Sequence, residues 1–153
     1  CAILSVGAVR FDERGLGAEF YRSVDREDCV RLGLEVDEDT VAWWEDQPDA
    51  AREVLEGGDE LQDVLRSLSY FYSGASEVWA KSPSFDVAIL DEAYGRVGME
   101  SPWHFADERC VRTIEALEVA PDVDEEGVDH HALDDAKQQA RSVSRALEVL
   151  EDA

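Results

Sequence analysis

What this sequence most lacks is positive charge. Fourteen Lys and Arg stand against 37 Asp and Glu, a formal net charge of −23 at pH 7, and only Lys81 and Lys137 are lysines. Neutralising phosphates supplies much of the affinity of an ordinary nucleic-acid binder, so composition alone votes against DNA or RNA as a ligand of the general surface. The acids are spread along the chain instead of forming one tail, which makes them a solvated surface all round. Such a surface fits concentrated salt, where screening cuts the reach of self-repulsion to roughly 3 Å at 1 M. A halophilic setting is therefore expected, ahead of an acidic mimic of nucleic acid.

Other absences narrow the class further. The three cysteines, Cys1, Cys29 and Cys110, have no C-x-x-C spacing, which argues against a disulfide framework and a zinc knuckle and leaves free buried thiols as the expectation. No apolar run reaches 18 residues, so no helix is expected to span a membrane. The N-terminus shows neither the basic nor the apolar region of a signal peptide. A cytoplasmic protein is expected, in a high-salt host or its virus. The chain opens on Cys1 and runs at once into the apolar "AILSVGAVRF", so the loss of an upstream segment is expected as well.

What is present suffices for one domain: 153 residues with 44% hydrophobic content. "AILSVGAVRFD", the turn "DERGLG" and "AEFYRSV" read as a β-hairpin. A polar connection from Arg26 to Asp37 leads to a helix in "DEDTVAWWEDQ", with Asp39 or Thr40 as N-cap. Pro48 fits the first turn of a short second helix that Gly57-Gly58 stops. Leu61, Val64, Leu65, Leu68 and Phe71 then recur at helical spacing. "EVWAK" and "RCVR" read as short strands. Between them "VAILDEAYGRV" is a helix closed by Gly98, and Thr113 is placed to cap "IEALEV". After the acidic loop "APDVDEEGVD", a last helix carries the stripe Ala132, Leu133, Ala136, Ala140, Val143, Leu147 and Leu150. A hairpin followed by alternating strands and helices points to an α/β domain with a mixed sheet.

Two constellations carry chemistry. "VDHHALDDAKQQA" places His130, His131, Asp134 and Asp135 around the start of the last helix. Helical spacing pairs His130 with Asp134 and His131 with Asp135; either pair suits a metal, and acids favoured by the helix dipole beside solvated histidines explain the cluster equally well. In "SPSFD", Asp86 follows a strand through a Pro-containing turn and begins a helix, where ligands collect in α/β domains, or where an N-cap is wanted. Two acids on separate elements could converge on a hard divalent ion such as Mg²⁺ or Mn²⁺.

Taken together these segments resemble a known family. "HHALDDA" fits the H-x-A-x-x-D signature of the DEDDh 3′-5′ exonucleases through His130, Ala132 and Asp135, and "PSFDVAIL" resembles their second acidic motif. "AILSVGAVRFD", "TVAWWEDQ", "VWAKSPSFDVAIL", "ERCVRT" and "HHALDDA" follow the order seen in the group that contains phage exonuclease A and the mycobacterial adenylate-specific exoribonuclease. The resemblance covers nearly the whole chain. It implies an RNase H-like mixed sheet flanked by helices and a two-metal centre holding Mg²⁺ or Mn²⁺. Asp86 and Asp135 would be metal ligands, and His130 would take a proton from the attacking water, a role suited to an imidazole that titrates near pH 6.5. His131 stands at a variable position of the pattern and is a neighbour.

The family's first motif, an Asp-x-Glu on a strand before "AILSVGAV", is missing. Residues 1–153 are thus expected to be a single exonuclease domain, N-terminally truncated, lacking its central first strand and showing a gap in its sheet, and to be inactive as they stand. Of Trp43 and Trp44, one ring is expected to pack and Trp44 to face the cleft, where stacking on an unpaired base is worth roughly 1–3 kcal/mol. Phe85 either wedges against a terminal base or packs in the core, and Ser84 beside it completes the expected substrate contacts. Arg109 and Arg112 either touch phosphate or pair with acids. The expected substrate is the 3′ end of single-stranded DNA or RNA, with a homodimer as a candidate assembly. The alternatives are a catalytically inactive exonuclease-like module that binds nucleic acid or protein, and an acidic interaction protein.

Overall fold

The run Ser5–Asp12 is rich in residues that suit a pleated surface and forms strand β1, which turns through Glu13 and Arg14 into β2, Gly15–Ser23. The two pair antiparallel from Ser5↔Ser23 to Asp12↔Gly15, with a register shift between Val9 and Phe11. The computed structural model describes residues 1–52, 55–124, 127 and 130–152. Val128 and Asp129 of the histidine motif, and Glu125 and Glu126 of the acidic loop, lie outside the described residues, as do Glu53 and Val54 before the expected Gly57-Gly58 stop.

Behind the hairpin, Arg26–Arg31 forms a short helix α1 where a polar connection was expected. The Asp25 carboxylate accepts the Glu27 N–H and so supplies the cap that starts it. Helix α2 spans Glu38–Glu45, and its cap is Asp37 instead of Asp39 or Thr40: the Asp37 carboxylate accepts from the N–H groups of both. The four-residue turn α3, Asp49–Arg52, begins one residue after Pro48.

Helix α4, Leu61–Tyr72, buries the expected Leu61, Val64, Leu65 and Leu68. Its first N–H lacks a local side-chain cap; Asp28 of α1 supplies one, its carboxylate accepting from Leu61 N at 2.7 Å. At the other end, the Arg10 guanidinium of β1 donates to the carbonyls of Phe71 and Ser73, the favourable placement for a cation at a helix C-terminus. Strand β3, Val78–Ala80, follows, then helix α5, Asp86–Arg96, and strand β4, Glu108–Cys110. β4 continues directly into helix α6, Val111–Ala116, so the position before that helix belongs to Cys110, and Thr113 lies within it.

Helix α7, Ala132–Asp152, closes the chain. Ala140 and Val143 of the expected stripe are buried, but Leu150 is exposed, and Ser144 and Ala146 are buried in addition. Ser144 owes its burial to a bond from its hydroxyl to the Asp12 carbonyl, 2.6 Å. Of the cysteines only Cys29 is buried; Cys1 is exposed and Cys110 half-buried.

The architecture is mixed α/β, with two small sheets flanked by helices: β1–β2 antiparallel and β3–β4 parallel, Val78↔Glu108 to Ala80↔Cys110. Two separate sheets in place of one are compatible with an RNase H-like fold lacking some strands. One face of the hairpin, through Val6, Ala8 and Phe20, enters the main core with α1, α4 and α5. α7 lies on β1 and β2, and with α6 it shares a second core of Val111, Ile114, Val143 and Ala146, against which Phe11 and Trp79 pack. Both lysines join separate elements: Lys137 meets Glu19 of β2 and Lys81 meets Glu115 of α6, each at 2.9 Å.

Gly7 sets how closely α7 can lie. A Cβ on Gly7 would stand 2.3 Å from the Ala132 carbonyl carbon and the Leu133 nitrogen, a clash with backbone that rotamer changes cannot relieve. Gly7→Ala is therefore expected to destabilise the protein by roughly 1–3 kcal/mol, the usual range for overpacking, in urea unfolding. A variant as stable as the parent would show that α7 does not rest on β1 in this way.

Candidate functional site

The histidine motif sits where Gly7 lets α7 touch the hairpin. The Asp135 N–H donates to the His131 carbonyl at 2.9 Å, so the helix starts at Ala132 and both histidines precede it. Ideal helical pairing therefore fails at this end. His131 approaches Asp134, three residues on, with Nδ1 3.8 Å from the carboxylate. His130 adopts φ 64°, the left-handed region, which costs a side chain with a Cβ and persists where surroundings hold it.

Aromatic rings grip this turn from two elements. The His131 imidazole stacks on Tyr21 of β2, centroids 4.5 Å apart at 27°. Trp43 of α2 meets His130 edge to face, 4.8 Å and 89°, and is itself met edge-on by Trp44 at 5.1 Å. The sequence expectation was one packed indole and Trp44 in the cleft. In the structure α2 buries no residue at all, Trp44 is half-buried, and Trp43, 42% exposed, is the ring against the motif.

Asp86 is the first residue of α5. Phe85 takes the capping position, with no side-chain cap bond, so capping does not account for the carboxylate. Ser84 and Phe85 precede it in the same exposed turn, Ser84 Oγ lying 3.0 Å from Ser82 Oγ. Phe85 is 65% exposed, which removes the core-packing alternative. Arg109 is committed to structure: it donates to the carbonyls of Ala106 and Glu108 and pairs with Glu77 at 3.4 Å.

The two halves of the candidate site thus stand on different elements, Asp86 on α5 behind β3, and His130 and Asp135 at the start of α7 against β1. Among the described residues no three His, Cys, Asp or Glu side chains gather to hold a metal ion. Asp86 and Asp135 are two carboxylates where a pair of hard cations wants more oxygen ligands, so the residues present do not by themselves fit a two-metal centre. A groove of about 380 Å³ lies along the later turns of α7, but its lining mixes Arg14, Arg141 and Arg145 with Glu13, Asp122 and Glu148 and includes none of these residues.

Tyr21 and Gly7 were missed as contributors, and Trp43 was expected only as one of an indole pair in which Trp44 was favoured for the cleft. Gly7 had a signal, a glycine inside an otherwise β-rich run, which marks close backbone approach. Tyr21 had none, and neither did the particular partner of Trp43, because the residues these rings meet lie far away in sequence.

Although its side chain reaches solvent, Asp86 is flanked closely by chain, and this desolvation raises its carboxyl above the usual carboxylate range, against the opposing effect of a backbone hydrogen bond from Lys81. A raised carboxyl pKa means that the folded state holds the proton more tightly than the unfolded chain. The associated stability is present at low pH and is lost as pH rises through the raised value, so ionised Asp86 destabilises the fold at neutral pH. Asp86→Asn is expected to raise Tm at pH 7, with the gain vanishing towards pH 3. A lower Tm than the parent at pH 7 would contradict this.

Neither the curated proteins nor the solved structures include a significant match. The family comparison is positive: the sequence pattern of the 3′-5′ exoribonuclease Rv2179c-like domain matches residues 1–147. That span contains both halves of the site, Asp86 with its turn and the histidine motif with Asp135. On this match, and with an α/β fold compatible with it, the chain belongs to the Rv2179c-like 3′-5′ exoribonuclease domain family.

Proposed function

We propose that this domain acts in the hydrolysis of the terminal phosphodiester at the 3′ end of single-stranded RNA, with Asp86, His130 and Asp135 as its contribution to the reacting centre. The observation that carries the reading is the family match over residues 1–147, which includes all three. In this reading His130 accepts a proton from water as its oxygen attacks phosphorus. The P–O3′ bond breaks, the leaving O3′ takes a proton from solvent, and the products are a nucleoside 5′-monophosphate and an RNA one residue shorter with a free 3′ hydroxyl. A general base of this kind contributes typically 10²–10⁴-fold. Ser84, Phe85 and Trp44 are the proposed contacts to the terminal nucleotide, and Asp86 and Asp135 supply carboxylate oxygens. A requirement for Mg²⁺ or Mn²⁺ belongs to the proposal, and rests on the resemblance to the DEDDh nucleases.

The acidic surface is compatible with such an activity. A site that grips only a chain end needs little general affinity for polyanion, and a bound cation reverses the local potential. The alternative reading is a catalytically inactive exonuclease-like module that binds nucleic acid or a protein partner.

Incubating the protein with a labelled oligoribonucleotide separates the two. Release of mononucleotides that stops on chelation, and is abolished by Asp86→Ala and by Asp135→Ala, is expected. His130→Asn is expected to slow turnover by at least about 10²-fold, and His131→Asn to matter little. Binding of the oligonucleotide without release would favour the inactive module, and undiminished activity in both aspartate variants would sink the assignment. Parallel DNA substrates, at low and high salt, define the sugar preference and the working ionic strength.

A further inference from the structure

We propose that Trp43 is a positioning residue for His130, holding that imidazole in one orientation through an edge-to-face contact between two elements distant in sequence. The inference rests on the exonuclease reading, in which His130 is the base. Three observations carry it. The His130 backbone sits at φ 64°, so something other than intrinsic preference keeps it there. The Trp43 ring is at 4.8 Å and 89° to the imidazole, the T-shaped geometry that aromatic pairs favour. And α2 buries none of its residues, so core packing does not explain two adjacent indoles on it.

The contact is braced from behind. Trp44 meets Trp43 edge-on at 5.1 Å, the Gln47 side-chain amide donates to the Trp43 carbonyl at 3.0 Å, and Asp37 caps the start of α2. His131 is anchored separately, by its stack on Tyr21. Loss of the Trp43 ring should therefore disturb His130 and leave His131 in place. With this contact removed the imidazole samples more rotamers in which neither ring nitrogen faces the water. That loss falls on the chemical step and not on substrate binding.

Two measurements test this on Trp43→Leu, with Trp43→Phe as the conservative variant. In NMR spectra of the 153-residue chain, Trp43→Leu is expected to shift the imidazole C–H resonances of His130, as the indole ring current is removed, while those of His131 stay. In hydrolysis of an oligoribonucleotide, kcat is expected to fall on the order of tenfold to a hundredfold with KM unchanged, and Trp43→Phe to restore most of it. Unmoved His130 resonances in Trp43→Leu would overturn the proposal. So would a raised KM with kcat intact, which would instead make Trp43 a stacking platform for the terminal base. If Trp43→Leu does not fold, the same spectral comparison on Trp43→Phe decides, because the smaller ring has a different ring current. The NMR result is independent of activity, so it separates failure of this contact from failure of the exonuclease reading, which full activity in His130→Asn would reveal.

Discussion

The arrangement of the candidate site depends on one close approach, that of the Gly7 backbone in β1 to the first peptide of α7. Because a side chain there would collide with Ala132 and Leu133, the helix start lies directly on the hairpin, and everything attached to it is placed accordingly. Tyr21, two residues before the end of β2, comes within stacking distance of His131. The Lys137–Glu19 pair and the Ser144–Asp12 bond continue the same seam along the helix. The surface ion pair adds roughly 0.2–1 kcal/mol, so the tight backbone contact and the second core under α7 set this geometry.

Opposite this seam the hairpin faces the main core, and there the joints are charged groups used as helix caps. Asp28 caps α4 from α1, and Arg10 receives its last carbonyls. These two residues connect hairpin, α1 and α4 without lysine, and they show how a chain with so few cations places them. Asp86 is the contrary case: a carboxylate that opens α5 without being its capping residue, and whose desolvation outweighs the backbone hydrogen bond it receives from Lys81. A carboxyl raised in this way is a candidate for function, which is why the proposed reading joins Asp86 to the histidine motif.

Much of the fold was legible in sequence. The hairpin followed from its β-rich runs and turn, α4 from its helical apolar spacing, and β3 and α5 from a short apolar run ended by the Pro-containing turn before Asp86. Helix boundaries were less legible, because several carboxylates in a row compete for each capping position: Asp37 caps α2 and Asp25 caps the unexpected α1, and neither differs locally from its acidic neighbours. The site was legible as two motifs and a family resemblance, but not in its mutual geometry. That His130 would leave the helix for a left-handed turn against Trp43, and that His131 would stack on Tyr21, depends on contacts between segments roughly ninety to a hundred and ten residues apart, which no local pattern encodes.

The central claim is that the turn before α5 and the turn before α7 serve one terminal nucleotide. Titrating isotope-labelled protein with a nucleoside 5′-monophosphate in the presence of Mg²⁺, and following the backbone amides by NMR, tests it most directly. The account predicts that the perturbed amides are those of Ser84, Phe85, Asp86 and of His130 to Asp135, together with the indole N–H of Trp44. Perturbation confined to the groove beside Arg14 and Arg145, or perturbation of only one of the two turns, would contradict it.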